Sequence, residues 1–487
     1  MRKQILSATL VYSMLTFLQP LVNLGIQPLL LRYLSETDFA RYSLLSNYAT
    51  LISIFAAFNI GSAVIAYYPT YAHNPQRSRA FVGQIVGFTL RSSLLLAVVM
   101  AIAGPWLFAW QYGSNITYYP LGFIATLNGI GLAIYTPYLI QVNMTQALRK
   151  YALLTLMSVV GGTSLLLMLI VPPLSAGAWG ALLGRTIGVW LPVVVLLADY
   201  NAYWFTKLDF RYLKKPMLFA RYTLLNASLD WLAAVGDRFM IEHFLIMSSV
   251  AAYSLLNILI GASEMGFYAL RTAILPYLYA SFEQQEKENI YQASNNLYRF
   301  YMAGSMLGVS GAALLGSNIR WLTSKPAYLQ LQPYSCLYAA AFAALSVTLL
   351  VYTRYYYKQN ARSVLWYSLF GANCTLWANA WLLPSKGLIG AVVAMIFSRW
   401  ATLALLYISS SEARKIIGHK NVLTPLILTL SILLGASYIE HYGTSFTWVR
   451  GQIGIVQFFL VFILLCFLNR KAVLIVCRAY AVRFFIK

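Results

Sequence analysis

The chain has 487 residues, of which 60% are hydrophobic and 10% charged, where an average soluble domain carries about 25% charged residues. That composition excludes a water-soluble domain, because apolar runs of about 20 residues, each enough to cross a hydrocarbon core roughly 30 Å thick, recur along the whole length. The net charge of +22 does not point to nucleic acid, since the basic residues stand in small groups between apolar runs and form no continuous patch.

Taken in chain order, the apolar stretches and their breakers predict an all-α polytopic membrane protein with about fourteen transmembrane helices, at 5–31, 42–68, 81–109, 117–141, 152–172, 175–197, 217–245, 248–278, 297–316, 333–353, 365–383, 387–409, 422–440 and 452–469. Arg2 and Lys3 open an apolar run too long for a signal peptide, so the first stretch is expected to remain as a helix. With the N-terminus in the cytoplasm, 23 basic residues at or beyond the ends of the spans fall inside and six fall outside. That asymmetry is what the positive-inside rule demands, and it predicts both termini in the cytoplasm. The tail over 472–487 mixes apolar residues with Arg478, Arg483 and Lys487, and reads as a basic segment that is either disordered or laid on the inner surface.

Two short matches recur at nearly one interval. Tyr42-Ser-Leu-Leu45 opens the second predicted helix and Tyr253-Ser-Leu-Leu256 the eighth, 211 residues later; Gly177-Ala-Trp-Gly-Ala181 opens the sixth and Gly387-Leu-Ile-Gly-Ala391 the twelfth, 210 residues later. An even repeat of six helices gives two parallel copies related by an axis along the membrane normal, an architecture suited to a transporter with a central cavity. The expected organisation is a six-helix lobe over 1–200, a cytoplasmic linker over 201–216, a second six-helix lobe over 217–410, and an extra helix pair with a basic cytoplasmic tail over 411–487.

Six arginines remain inside the spans: Arg91, Arg185, Arg221, Arg238, Arg271 and Arg399. A charge at mid-bilayer costs at least about 2.5 kcal/mol on insertion scales, so each is expected to face a partner or a polar cavity. Arg221 and Arg238 lie near helix ends, where a long side chain can reach the interface; Arg185 and Arg399 lie near mid-depth. The eighth predicted helix carries Asn257, Gly261, Glu264, Tyr268 and Arg271 at helical spacing, and the seventh places Asn226, Asp230 and Asp237 on one face. Two readings stay open for these groups. One is ion pairing between helices; the other is a positively charged lining for an anionic substrate, in which Asp230, Asp237 or Glu264 also handles a coupling ion. Guanidinium forks suit phosphate oxygens, so the six arginines are candidate contacts for a phosphate or an acidic sugar. No catalytic group and no metal site is read from the sequence: the four histidines do not cluster with carboxylates, the four cysteines lack metal spacing, and no phosphate-binding Gly-Lys-Ser/Thr loop occurs.

Several stretches in order resemble a known family: Arg32-Tyr-Leu-Ser-Glu-Thr-Asp-Phe-Ala-Arg-Tyr-Ser-Leu44, Gly61-Ser-Ala-Val-Ile-Ala-Tyr-Tyr68, Asp237-Arg-Phe-Met-Ile241 with Val250-Ala-Ala-Tyr-Ser-Leu255, and Asn379-Ala-Trp-Leu-Leu-Pro-Ser-Lys-Gly-Leu-Ile-Gly-Ala391. Together they resemble the polysaccharide-transport, O-antigen flippase branch of the multidrug/oligosaccharidyl-lipid/polysaccharide (MOP) exporter superfamily, departing from its commonest pattern at Ala40, where Gly is usual. The resemblance implies twelve or fourteen helices, alternating access in a bacterial inner membrane, and a substrate of sugars on an undecaprenyl diphosphate carrier, used for O-antigen, capsule or exopolysaccharide. It implies no cofactor beyond a proton or sodium gradient, and membrane lipids, a polysaccharide polymerase and chain-length proteins as partners. A multidrug or small-solute exporter of the same superfamily is the alternative reading, and a membrane-embedded polymerase or ligase ranks below it because no catalytic acid cluster is present.

Overall fold

The computed structural model describes residues 21–71, 74–145, 147–203, 207–288, 292–358 and 360–442 together with Leu15, Leu18, Phe458, Phe459 and Val461. Among these the backbone is helical almost throughout and contains no strand. In chain order the helices are α1 (Gln27–Tyr33), α2 (Glu36–Ala56), α3 (Gly61–Tyr71), α4 (Pro75–Tyr112), α5 (Phe123–Met144), α6 (Leu148–Ile170), α7 (Gly177–Asp199), α8 (Phe210–Phe244), α9 (Met247–Glu288), α10 (Gln292–Ser317), α11 (Ser335–Tyr357), α12 (Ala361–Lys386), α13 (Leu388–Ser409), α14 (Ser411–Ile417) and α15 (Lys420–Tyr442). The predicted spans from the second to the thirteenth all coincide with helix. The first is described mainly from Leu21 onward, and the fourteenth, the basic tail, Cys466 and Cys477 lie outside the described residues. By length and hydropathy alone, eight of the described helices can cross a membrane, or nine if α14 and the start of α15, bent by 65° at their break, form one span.

Local chemistry explains where the helices begin and end. Ser35 caps α2 by accepting a 3.0 Å hydrogen bond from the amide of Asp38, and Glu36 and Asp38 place negative charge in the first turn. Asn74 caps α4 by accepting from the amides of Gln76 and Arg77, with Pro75 at the first helical position. The predicted span over 42–68 is broken into α2 and α3, because Phe58 and Asn59 adopt φ of +50° and +49°. Asn tolerates that region and Phe does not, so the break is held by contacts elsewhere: the Asn59 side chain donates to the carbonyl of Thr223 across 2.9 Å.

The surface confirms a lipid solvent. On α4, Leu94, Leu95, Ile102, Trp106 and Trp110 are all more than 60% exposed, while Phe81, Val82 and Ile85 on the same helix are fully buried. So large a contiguous apolar face is not tolerated by a protein in water. α11 is buried on nearly every side, as expected of a helix that is apolar all round.

The chain divides into two compact units, Met1–Ala251 and Ala252–Lys487. Their boundary falls inside α9 and leaves α8 in the first unit, whereas the sequence reading placed the corresponding span at the start of the second lobe. Two hydrogen bonds tie α8 there: Asn59 reaches Thr223, and the indole of Trp231 donates to the carbonyl of Asn47 across 3.0 Å.

Each unit repeats one local device. Gly177 is the first residue of α7 with φ of +57° and Gly387 immediately precedes α13 with φ of +59°, the two glycines standing 210 residues apart. The helices they open are then packed closely on the preceding one. In the first unit a Cβ on Gly188 would lie 2.2 Å from the Cα of Gly162. In the second, Ser398 donates to the carbonyl of Gly371 across 2.8 Å.

Candidate functional site

In the first unit, Arg185 projects from α7, and its Nη1 donates to the phenolic oxygen of Tyr42 on α2 across 2.9 Å. Among the described residues no carboxylate lies within ion-pair distance of it. A charge inside a span is thus steadied by a neutral hydroxyl, which fixes the direction of the guanidinium without cancelling its charge. Arg91 lies half-buried on α4, its Nη1 directed at the carbonyl of Gly87 at 3.4 Å. Arg221 is exposed and sits over its own neighbour: its guanidinium carbon is 4.6 Å from the Tyr222 ring centre, and Nη2 donates to the phenolic oxygen across 2.8 Å.

The single face expected for Asn226, Asp230 and Asp237 is split by the fold into two environments. Asn226 donates to Asp230 Oδ2 across 3.0 Å in an exposed i, i+4 pair, while Asp237 is wholly buried. Arg238, expected to reach the interface from a helix end, is buried instead with 6% of its surface exposed. The reason is packing: α8 is buried at Val235–Arg238 and at Ile241 and Glu242, whereas none of its residues from Arg221 to Ala234 is fully buried. Near that buried end the side-chain amide of Asn115 donates to Glu242 Oε1 across 3.0 Å, and the carbonyl of Asn115 accepts from Arg41 Nε at the same distance. Glu242 is buried, and sequence reasoning did not single it out.

In the second unit the polar face of α9 divides among separate partners. Asn257 donates to the hydroxyl of Tyr338 across 2.6 Å, and that hydroxyl donates to Tyr253 at 3.3 Å. Glu264 on α9 and Arg399 on α13 lie within electrostatic range of each other but form no ion pair. Arg271 lies over Tyr268, with 5.1 Å from the guanidinium carbon to the ring centre. Asn379, buried on α12, donates to the carbonyl of Thr375 on its own helix across 2.9 Å.

Two carboxylates that sequence reasoning passed over act as hubs. Asp199, at the end of α7, accepts from both Tyr138 of α5 and Lys150 of α6, and its carbonyl accepts from Arg79 of α4 across 3.0 Å. Glu412, on α14 just beyond α13, pairs with Lys358 at 2.8 Å and Arg354 at 3.5 Å. Partial burial pushes the Glu412 carboxyl up, but the Lys358 hydrogen bond and the charges of Lys358, Arg354 and Lys415 outweigh it and hold the group below the usual carboxylate range. Scarcity was the available signal. With 13 acidic residues against 35 basic ones, an acid bordering a basic loop is bound to gather several cations. No group of three or more metal-ligating side chains occurs among the described residues.

The arrangement has clear relatives in shape. The lipid II flippase MurJ in an inward closed conformation superposes with a TM-score of 0.67 at 15% identity, over 95% of this chain and 100% of that one. An inward-facing multidrug resistance MATE family transporter of the MOP superfamily gives 0.58 at 14% identity, over 83% and 98%. The MATE multidrug transporter DinF-BH gives 0.51 at 15% identity, over 85% and 96%. Identities this low establish the fold of the MOP transporters and leave the substrate open. No curated protein matches by sequence. The family model described as "Polysaccharide biosynthesis protein" matches residues 5–282, more than half of the chain, and the protein therefore belongs to the polysaccharide biosynthesis protein family and carries the MOP transporter fold.

Proposed function

We propose that this protein is a flippase that carries an undecaprenyl-diphosphate-linked oligosaccharide from the cytoplasmic to the periplasmic leaflet of a bacterial inner membrane. The observation that carries the reading is Arg185, a guanidinium set in a span and oriented by the neutral hydroxyl of Tyr42. Such a group attracts an anion and repels the cations that multidrug exporters commonly accept. The family match supports a role in glycan assembly, and the likeness in fold to a lipid II flippase fits a lipid-linked cargo.

In this reading the chain works by alternating access, opening a membrane-buried site first to one leaflet and then to the other. Arg185 takes the diphosphate in the first unit. Arg399 takes it in the second, with Glu264 within its electrostatic range. Either a proton or a sodium ion on a carboxylate such as Glu264, Asp230 or Asp237 drives the exchange. The arginines Arg91, Arg221, Arg238 and Arg271 supply further contacts along the path, and Asn226, Asn257 and Tyr268 are polar groups beside it. The glycan goes to O-antigen, capsule or exopolysaccharide, with a polymerase and chain-length proteins as downstream partners. A multidrug exporter is the second reading, favoured by the two multidrug transporters of like fold.

The test is to deplete the protein in its native host and probe lipid-linked oligosaccharide with a glycan-modifying enzyme confined to the periplasm. Complete repeat units that the probe cannot reach place the defect at flipping. Units that are reachable but unpolymerised move the role to a later step, and no accumulation favours the exporter.

A further inference from the structure

The end of the first unit at which α2 begins and α8 finishes, the side that the basic-residue count assigns to the periplasm, carries a continuous polar chain. Ser35 donates to Asp38 Oδ2 across 2.9 Å, and Arg41 stands 3.8 Å from the same carboxylate. Arg41 Nε donates to the carbonyl of Asn115, and the side-chain amide of Asn115 donates to Glu242 Oε1, each across 3.0 Å. Asn115 is exposed, whereas Glu242 beneath it keeps 4% of its surface. The second oxygen of Glu242, Oε2, is buried and has no hydrogen-bond partner. Among the described residues no cation comes within ion-pair distance of it. The titratable groups that face Glu242 are buried Tyr112 of α4 and exposed His243 on its own helix. Asp237 and Arg238 stand about one turn back on α8, and Arg41 reaches it through Asn115.

A carboxylate that leaves water as an anion needs a cation or several donors, and Glu242 has one donor and no cation. A proton on Oε2 removes that cost and leaves Oε1 free to accept from Asn115. We infer that Glu242 is a proton-binding site, and that this end of the first unit closes over it after its carboxylate has taken a proton from water on the same side. The inference rests on the alternating-access reading and assigns the proton one step within it. With that end open, Glu242 meets water as an anion; once it is protonated, the last turns of α8 can pack on Asn115 and Tyr112 and return the emptied protein to the state closed toward the periplasm. The surroundings suit a proton better than a metal cation, which needs a cage of oxygen ligands. No group of three or more metal-ligating side chains occurs among the described residues, and the amide nearest Glu242 presents a donor to it.

The experiment uses the full chain in lipid nanodiscs, without substrate, so that its result stands apart from that of any flipping assay. Spin labels on Thr37→Cys and Ile246→Cys, both exposed and both at this end of the first unit, report the separation of α2 from the end of α8 by pulsed electron resonance. The four native cysteines are changed to alanine. As pH falls, the ratio of closed to open distances is expected to rise by up to about tenfold per pH unit, the limit for one proton. Glu242→Gln, neutral at every pH and of nearly the same shape, is expected to stay closed throughout, while Glu242→Asp keeps a pH response. Asn115→Ala shifts the population toward the open distance and keeps the response. His243→Gln keeps it as well, which separates Glu242 from the neighbouring imidazole. A wild-type distance that ignores pH overturns the assignment, as does a wild-type response in Glu242→Gln or loss of the response in His243→Gln. Closure driven equally by sodium ions at fixed alkaline pH would replace the proton with a metal cation and overturn it too.

Discussion

Arg185 Nη1 donates to the phenolic oxygen of Tyr42 across 2.9 Å, joining α7 to α2 inside the first unit. The pair orients a positive charge without neutralising it. Arg185→Ala is therefore expected to abolish transport of lipid-linked oligosaccharide while the protein still inserts and elutes as a single species. Tyr42→Phe removes one hydrogen bond worth about 0.5–1.5 kcal/mol and leaves the charge, so transport should fall by only about 2- to 12-fold. A flipping assay in reconstituted vesicles, run beside size-exclusion profiles, separates the two. Normal transport by the alanine variant would make Arg185 structural.

The same assay addresses the second unit. Arg399→Ala is expected to stop transport, and Glu264→Gln to uncouple it from an imposed ion gradient while leaving substrate binding in place, because the amide keeps the shape of the side chain and removes its charge. Gradient-dependent uptake that is unchanged in Glu264→Gln removes that residue from the coupling step.

Gly177 and Gly387 share a positive φ but have different surroundings. A Cβ on Gly177 would lie 3.1 Å from Asp38 Oδ2, whereas one on Gly387 meets nothing within 4 Å. Gly387→Ala should therefore cost only backbone strain, about 1–2 kcal/mol, and Gly177→Ala somewhat more. Gly435→Ala, in the interior of α15 with nothing within 4 Å, is expected to be neutral or to stabilise by up to about 1 kcal/mol. Melting curves of the three variants rank them.

The Glu412 cluster should be visible in the pH dependence of stability. Its carboxyl is held below the usual range in the folded protein, so its stabilisation is fully present above the ordinary carboxylate pKa and is lost as pH falls through the lower, folded value. Glu412→Gln is expected to lower the melting temperature by about 1–2 °C at pH 7, consistent with partly exposed ion pairs. The gap between variant and wild type closes on acidification below the usual carboxylate range. A gap independent of pH would show that the side chain acts through packing.

How far the site could be read from residues alone depended on the kind of interaction. Arg185 and Arg399 stood out because a charge in an apolar run is conspicuous whatever surrounds it. The polar face of α9 was visible through its 3.6-residue period, although the fold then dispersed Asn257, Glu264 and Arg271 among different partners. Asp199 was not visible. Its partners Tyr138 and Lys150 lie 61 and 49 residues away, and nothing local marks them as a set. The break at Phe58 and Asn59 was hidden for a similar reason, since a left-handed Phe inside an apolar run is stabilised by long-range contacts such as that of Asn59 with Thr223.

By itself the sequence determined the solvent, the places where the chain crosses it and the spans that carry charge. These follow from runs of some twenty apolar residues, and a bilayer obliges such runs to close their own backbone hydrogen bonds as helices. Only the tertiary structure decided which charges are buried, which are shared and which remain available. It put Asp237 and Arg238 in the interior, left Asp230 exposed beside Asn226, and gave Arg185 a phenol. Those outcomes depend on which helix faces meet, and helical period gives the face of a residue without naming what lies opposite it.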